Sequence, residues 1–116
     1  MNLSRMSDNE ILAVAEPIMR NLMEGSERID HEKHTQDFTP RLKSIVTKQN
    51  LENQCKIYQA AWGCFAERAF VDIFRKKDSV TVIWKQKVTK VDDEFVALLT
   101  LVEREGRYLV DNAILY

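Results

Sequence analysis

Asp30-His31-Glu32-Lys33-His34 is the stretch whose residue types come nearest to metal or proton-transfer chemistry. Two imidazoles spaced i, i+3 share a helical face, and Asp30 adds an oxygen ligand. A metal site also needs a third spaced ligand, and none is evident. Lys33 is interleaved and the run is polar throughout, so it reads as a solvated helix face and no metal is assigned. Cys55 and Cys64 lack CxxC spacing and a neighbouring histidine, and read as one core and one loop cysteine. No GxSxG, phosphate loop or Gly-rich cradle occurs, which argues against hydrolases and nucleotide enzymes built on those motifs. No catalytic residue and no cofactor is assigned.

A second set is more informative. Tyr58 and Trp62 fall on one face of a helix that also carries Leu51 and Cys55. Trp84, Gln86 and Asn112 fall on the strand face expected to receive that helix. An indole N–H, a phenol and two amides converging in an apolar space are what a small-ligand pocket requires. The bland alternative is a closed core in which the same groups bond to one another or to backbone.

The elements that must position these groups are written in two periods. Ser7-Asp8-Asn9-Glu10 is a capping box, and apolar residues from Ile11 to Met23 recur at helical spacing behind it. Pro17 predicts a kink or a helix that starts late, and Gly25 a stop. Thr39-Pro40 opens a short helix, Thr47 caps the helix of Tyr58 and Trp62, and Gly63 closes it.

From Phe65 the period changes to two, predicting strands over 65–76, 79–90, 94–104 and 107–116 with turns at Lys77-Asp78, Asp92-Asp93 and Glu105-Gly106. Connections this short force antiparallel neighbours. The expected architecture is α+β: N-terminal helices packed on a curved four-stranded antiparallel sheet.

Tight turns fix a register and sort the strand residues into faces. One collects Val71, Ile73, Val82, Trp84, Gln86, Leu99, Leu101, Val110 and Asn112, and should receive the helices. The other collects Phe70, Asp72, Phe74, Ile83, Lys85, Leu98, Thr100, Val102, Leu109, Asp111 and Ala113. It is too apolar to be left in water, and a second copy of the chain is the simplest cover. Phe70, Phe74, Ile83, Lys85, Leu98, Thr100, Val102, Leu109 and Asp111 are therefore the dimer-interface candidates. Lys85, Thr100 and Asp111 form a cross-strand polar row on that face.

Length and composition bound the function class. At 116 residues, with 45% apolar and 30% charged content, the chain suits one ordinary globular domain. Seventeen basic against eighteen acidic residues leave no bulk charge for nucleic acid or an anionic membrane. The basic run Arg75-Lys76-Lys77 is followed by Asp78 and suits a solvated hairpin tip. No apolar run approaches a membrane span, and the polar start is unlike a signal peptide. Two cysteines are too few for a disulfide framework, so a reduced cytoplasmic protein is expected.

The segments AEPIMRNLMEGS and DFTPRLKSIVT, with the hairpins DSVTVIWKQKV and GRYLVDNAIL, give the chain a pattern from Asn9 to Tyr116 that resembles the nuclear transport factor 2-like superfamily, the cystatin-like α+β cone. The resemblance implies a cone whose open end holds an apolar ligand, and dimerisation through the outer sheet surface. The superfamily's isomerase-like enzymes use a tyrosine on the first helix and an Asp base on a strand. Positions 8–24 contain no tyrosine, so no activity carries over. The reading is a non-catalytic cytoplasmic homodimer with a small apolar molecule as the expected guest. The alternatives are a lyase or isomerase acting on a small hydrophobic substrate, and a domain whose outer face binds another protein.

Overall fold

Ser7 and Glu10 start the first helix reciprocally: Ser7 Oγ accepts the Glu10 N–H at 3.1 Å, and Glu10 Oε1 accepts the Ser7 N–H at 2.9 Å. In the computed structural model, which describes residues 2–116, a 3-10 turn (Leu3–Arg5) precedes this helix, α1 (Asp8–Arg28). The helix runs straight on through Pro17 in sequence, and it does not stop at Gly25. It ends where Ile29 takes the left-handed conformation, φ 52°. Gly25 serves close approach instead. A Cβ there would lie 2.5 Å from the backbone nitrogen of His34, so only glycine lets α2 (His31–His34) rest on α1.

Two cap-driven helices follow, a short one and one of 15 residues. Thr39 caps α3 (Pro40–Ile45) through the Leu42 N–H, and Thr47 caps α4 (Lys48–Trp62) through the Asn50 N–H. Gly63, at φ 80°, ends α4, and a Cβ there would meet Thr89 Oγ1.

The remainder is a meander of β1 (Phe65–Arg75), β2 (Val80–Val88), β3 (Phe95–Arg104) and β4 (Arg107–Leu115), antiparallel in the order β1-β2-β3-β4. The last hairpin turns on Glu105 and Gly106, both at positive φ (54° and 79°), the type I′ geometry that matches strand twist. The open edge of β4 is covered: Thr39 N–H donates to the Val110 carbonyl at 2.9 Å and Val110 N–H to the Asp37 carbonyl at 2.6 Å.

The helices pack on the face bearing Val80, Val82, Trp84, Ala97, Leu99, Leu101 and Val110, against Ile11, Ala15, Met19 and Leu22 of α1. Alternation along β2 and β3 is as expected. β1 and β4 each contain a bulge that strict alternation misses. In β1 the partner shifts between Phe70 and Asp72, so Phe70 pairs with Trp84 rather than standing on the face of Ile83. In β4 the shift falls between the partners of Thr100 and Leu101 and leaves Asp111 as the extra residue. One inserted residue reverses every side chain beyond it. Asn112 therefore pairs with Thr100 on the outer face, and Ala113 pairs with Leu99 on the inner one.

Phe74, Ile83, Lys85, Leu98, Thr100, Val102 and Leu109 do share the outer face through their cross-strand partners. Val102 and Leu109 are already buried within one chain, at 6% and 9% exposure, and have little surface left to give a partner. The polar row across Lys85, Thr100 and Asp111 does not form. Lys85 pairs with Glu94 at 3.2 Å. Asp111 accepts from Thr39 Oγ1 at 2.9 Å and from Arg41 Nε at 3.2 Å, while an Arg41 Nη2 donor reaches the Asp111 carbonyl.

Candidate functional site

Helix α4 lays Leu51, Cys55, Tyr58 and Trp62 along its inward face, with Leu51 and Cys55 buried. Tyr58 and Trp62 stack in parallel at 4.8 Å, and Trp62 continues onto Phe95 of β3 at 4.3 Å. This aromatic ladder joins α4 to β3. Between α4, α1, α3 and the ends of β1 and β4 lies a cavity of about 210 Å³. The walls are mainly apolar: Leu22, Met23, Phe38, Leu42, Leu51, Phe65 and Leu115 contribute to them. Ser26, His34, Gln54, Cys55 and Tyr58 supply the polar groups, and no carboxylate lines it. A smaller space of about 20 Å³ adjoins it beside Tyr58, Trp62 and Gly63.

His34 is the residue the sequence pattern hid. It was expected on a solvated helix face; it is half-buried, edge-on to Phe38 at 5.3 Å, and borders the cavity. Its Nδ1 lies 2.9 Å from the Leu22 carbonyl and 3.0 Å from Ser26 Oγ. A carbonyl can only accept, so Nδ1 carries the proton and Nε2 keeps its lone pair. Burial pushes the imidazole below its ordinary value, opposed by the Leu22 hydrogen bond and aided by His31, so the ring is neutral near pH 7. Nε2 has no hydrogen-bond partner among the described residues, yet it is not a sealed atom. His31 is half-buried too: its Nε2 contacts the Val46 carbonyl at 2.8 Å and ties α2 to the end of α3. Opposite His34, burial raises the Cys55 thiol above its usual value, with a Ser26 hydrogen bond acting the other way. That thiol is a neutral wall group. Among the described residues no group of three or more His, Cys, Asp or Glu is placed to hold a metal.

The residues proposed as pocket candidates separate into three places. Tyr58 lines the cavity, and Trp62 lines the small space beside it. Trp84 and Gln86 are fully buried deeper in the sheet and line neither. The Trp84 indole donates to Glu16 Oε1 at 2.8 Å, and the Arg68 guanidinium lies 5.6 Å from the indole ring. Gln86 Nε2 donates to the carbonyls of Ala66 (3.1 Å) and Lys87 (2.8 Å), where the β1–β2 register slips between Phe65 and Arg68. Its amide occupies backbone acceptors that an irregular ladder leaves open. Asn112 stands on the opposite face of the sheet, beyond the β4 bulge. The signals that could have found His34 were local: a glycine within α1 that marks a close approach, and the i, i+4 pair of His34 with Phe38.

Solved structures of similar shape were found. A nuclear transport factor 2-like protein of unknown function from Shewanella baltica OS155 superposes with a TM-score of 0.60 at 12% identity, covering 97% of each chain. One from Methylobacillus flagellatus KT gives 0.59 at 10% identity, over 99% of this chain and 97% of that one. A domain of unknown function with a cystatin-like fold from Nostoc punctiforme gives 0.56 at 6% identity, over 95% and 78%. The chain has the nuclear transport factor 2-like fold. Identities this low establish the fold alone. No family model matches the chain, and no curated protein matches it in sequence. Within this fold the four-stranded sheet is not closed, and the cavity lies beneath α4. No helix of the described residues is long and apolar enough to cross a membrane.

Proposed function

We propose that the chain is a homodimeric, non-catalytic module that holds a small apolar molecule in the cavity beneath α4. The observation that carries this reading is the cavity of about 210 Å³, walled by aliphatic and aromatic side chains and free of carboxylates. Apolar cavities of about 150 Å³ already admit benzene, so one ring with small substituents fits. The dimer rests on the outer sheet face, where Phe74 and Ile114 are 55% and 45% exposed beside the half-buried Ile83 and Leu98. Two free cysteines suit a reducing, cytoplasmic setting. The charge balance argues against nucleic acid as a partner.

Titration of the isotope-labelled protein with p-xylene, followed by NMR, tests the binding reading. Saturable shifts of Leu51, Tyr58 and Leu115 resonances are expected; their absence up to the solubility limit of p-xylene overturns it.

His34 favours a second reading, a lyase or isomerase. A neutral imidazole facing an apolar cavity is a competent general base, and Tyr58 could polarise a substrate oxygen from the same lining. A carboxylate partner for that base is missing from the cavity lining, which is why the binding reading stands first. Solvent-deuterium exchange into a bound ketone, lost in His34→Gln, would reverse that order.

A further inference from the structure

The binding reading above names a mainly apolar guest without saying whether it carries a polar group, and His34 bears on that. The polar groups of the cavity lining are Ser26, His34, Gln54, Cys55 and Tyr58, and the hydrogen bonds of Ser26, Cys55 and His34 tie them to one another and to the Leu22 carbonyl. Ser26 Oγ is engaged with His34 Nδ1. Cys55 is a weak donor and acceptor, engaged with Ser26. Nε2 of His34 is a full-strength acceptor with no partner among the described residues, and the Leu22 hydrogen bond to Nδ1 fixes its ring, whereas Tyr58 and Gln54 have no such bond to hold them. The groups packed around the ring are the Leu22 carbonyl and Ser26 from α1, His31 from its own helix, Phe38 after it, and Cys55 and Tyr58 from α4. No carboxylate lines the cavity beside it, and the Leu22 hydrogen bond, which favours the imidazolium, is outweighed by burial. A guest that covers this acceptor displaces its water, at a cost unless the guest itself supplies a donor.

We propose that the guest is a single-ring molecule bearing a hydroxyl, which donates its hydrogen to Nε2 of His34 while the ring lies against the apolar wall formed by Leu51, Phe65 and Leu115. This inference rests on the binding reading and adds the recognition element to it. A ring with a hydroxyl and one further small substituent matches about 210 Å³. Burial of the imidazole keeps it neutral, and so an acceptor, near neutral pH.

The test uses p-cresol and p-xylene, which differ only in hydroxyl against methyl, with affinities measured by NMR titration. Near neutral pH the protein should bind p-cresol about tenfold more tightly than p-xylene, the factor one neutral hydrogen bond supplies. His34→Phe should abolish the preference while p-xylene still binds. His34→Gln, which restores an acceptor, should recover part of it. As the pH falls through the ring's folded-state pKa, which burial holds below the ordinary value, the preference of the unsubstituted protein should shrink, since an imidazolium cannot accept. Equal affinity for both probes, or a preference that survives in His34→Phe and in His34→Gln alike, overturns the hydroxyl recognition and leaves apolar binding in place. Failure of both probes to bind the unsubstituted protein overturns the binding reading and this inference with it.

Discussion

Trp84 and Glu16 are joined by a 2.8 Å hydrogen bond from the indole N–H to Oε1, and this contact sets how α1 lies across the sheet. Glu16 also meets Arg68 Nη2 at 3.4 Å, so one carboxylate serves two donors of the sheet's inner side. The Arg68 side chain is 15% exposed and Trp84 is fully buried. Neither can turn to water if Glu16 is lost.

Glu16→Ala should therefore cost about 2–3 kcal/mol, more than a surface ion pair is worth, because it strands a buried indole N–H and most of a guanidinium. Glu16→Gln keeps one acceptor for the indole and should cost less. Urea unfolding of both variants checks the order. A Glu16→Ala loss below about 0.5 kcal/mol, the level of an exposed pair, would contradict it.

Gly25→Ala should destabilise although it lies inside a helix. The ordinary helical gain from Ala is about 1 kcal/mol. Here the new Cβ meets backbone atoms of His34 at 2.5 and 2.6 Å, which no rotamer change relieves. Overpacking of this kind costs roughly 1–3 kcal/mol, and α2 must move away from α1. Loss of the 5.3 Å edge-on contact between His34 and Phe38 in a crystal structure, with a lowered Tm, is the expected result.

Acid should weaken the fold through His34. Its folded-state pKa lies below the unfolded value of about 6.5, chiefly because burial disfavours the charged ring. The unfolded chain then binds the proton first, so stability is full above about pH 6.5 and falls as the pH drops below it. The fall ends once the pH passes the folded pKa, where both states are protonated. His34→Phe should flatten this part of a stability-against-pH curve. An unchanged slope between about pH 6.5 and 5 in that variant would contradict the assignment.

Leu98→Glu should give a monomer. Leu98 pairs with Ile83 on one side and Ile114 on the other, in the middle of the outer face. In the proposed dimer a carboxylate there would face the partner's apolar surface, where burying each large side chain otherwise contributes roughly 1.5–3 kcal/mol before association costs. Asp111→Asn, by contrast, should leave the assembly unchanged, since Asp111 is held by Thr39 and Arg41 within its own chain. Light scattering at micromolar concentration distinguishes the two. A monomeric unsubstituted protein would remove the dimer.

Much of the architecture was legible because it depends on local chemistry. The Ser7 capping box, Thr39 before Pro40, Thr47 and the Glu105-Gly106 turn each act over a few residues, and each is where it was expected. The alternation of β2 and the stripe of α4 are equally local, and they brought Tyr58 and Trp62 to the same space. The candidate site was less legible. Strict alternation placed Phe70, Asp111 and Asn112 incorrectly, because a bulge adds a residue without changing the composition of a strand.

The sequence by itself determined the α+β order of elements, the antiparallel meander and the separation of Cys55 in the core from the exposed Cys64. These follow from period, capping and turn chemistry, which are read over short windows. Tertiary structure decided what His34 is. In a polar segment its type and spacing suit solvent, but the missing side chain of Gly25 lets α2 settle onto α1, and the Leu22 carbonyl then fixes the ring against the cavity. It also decided that Gln86 would satisfy an irregular ladder and that Trp84 would anchor α1. Which acceptor a buried donor finds depends on atoms distant in the chain and adjacent in the fold, and no local pattern encodes that.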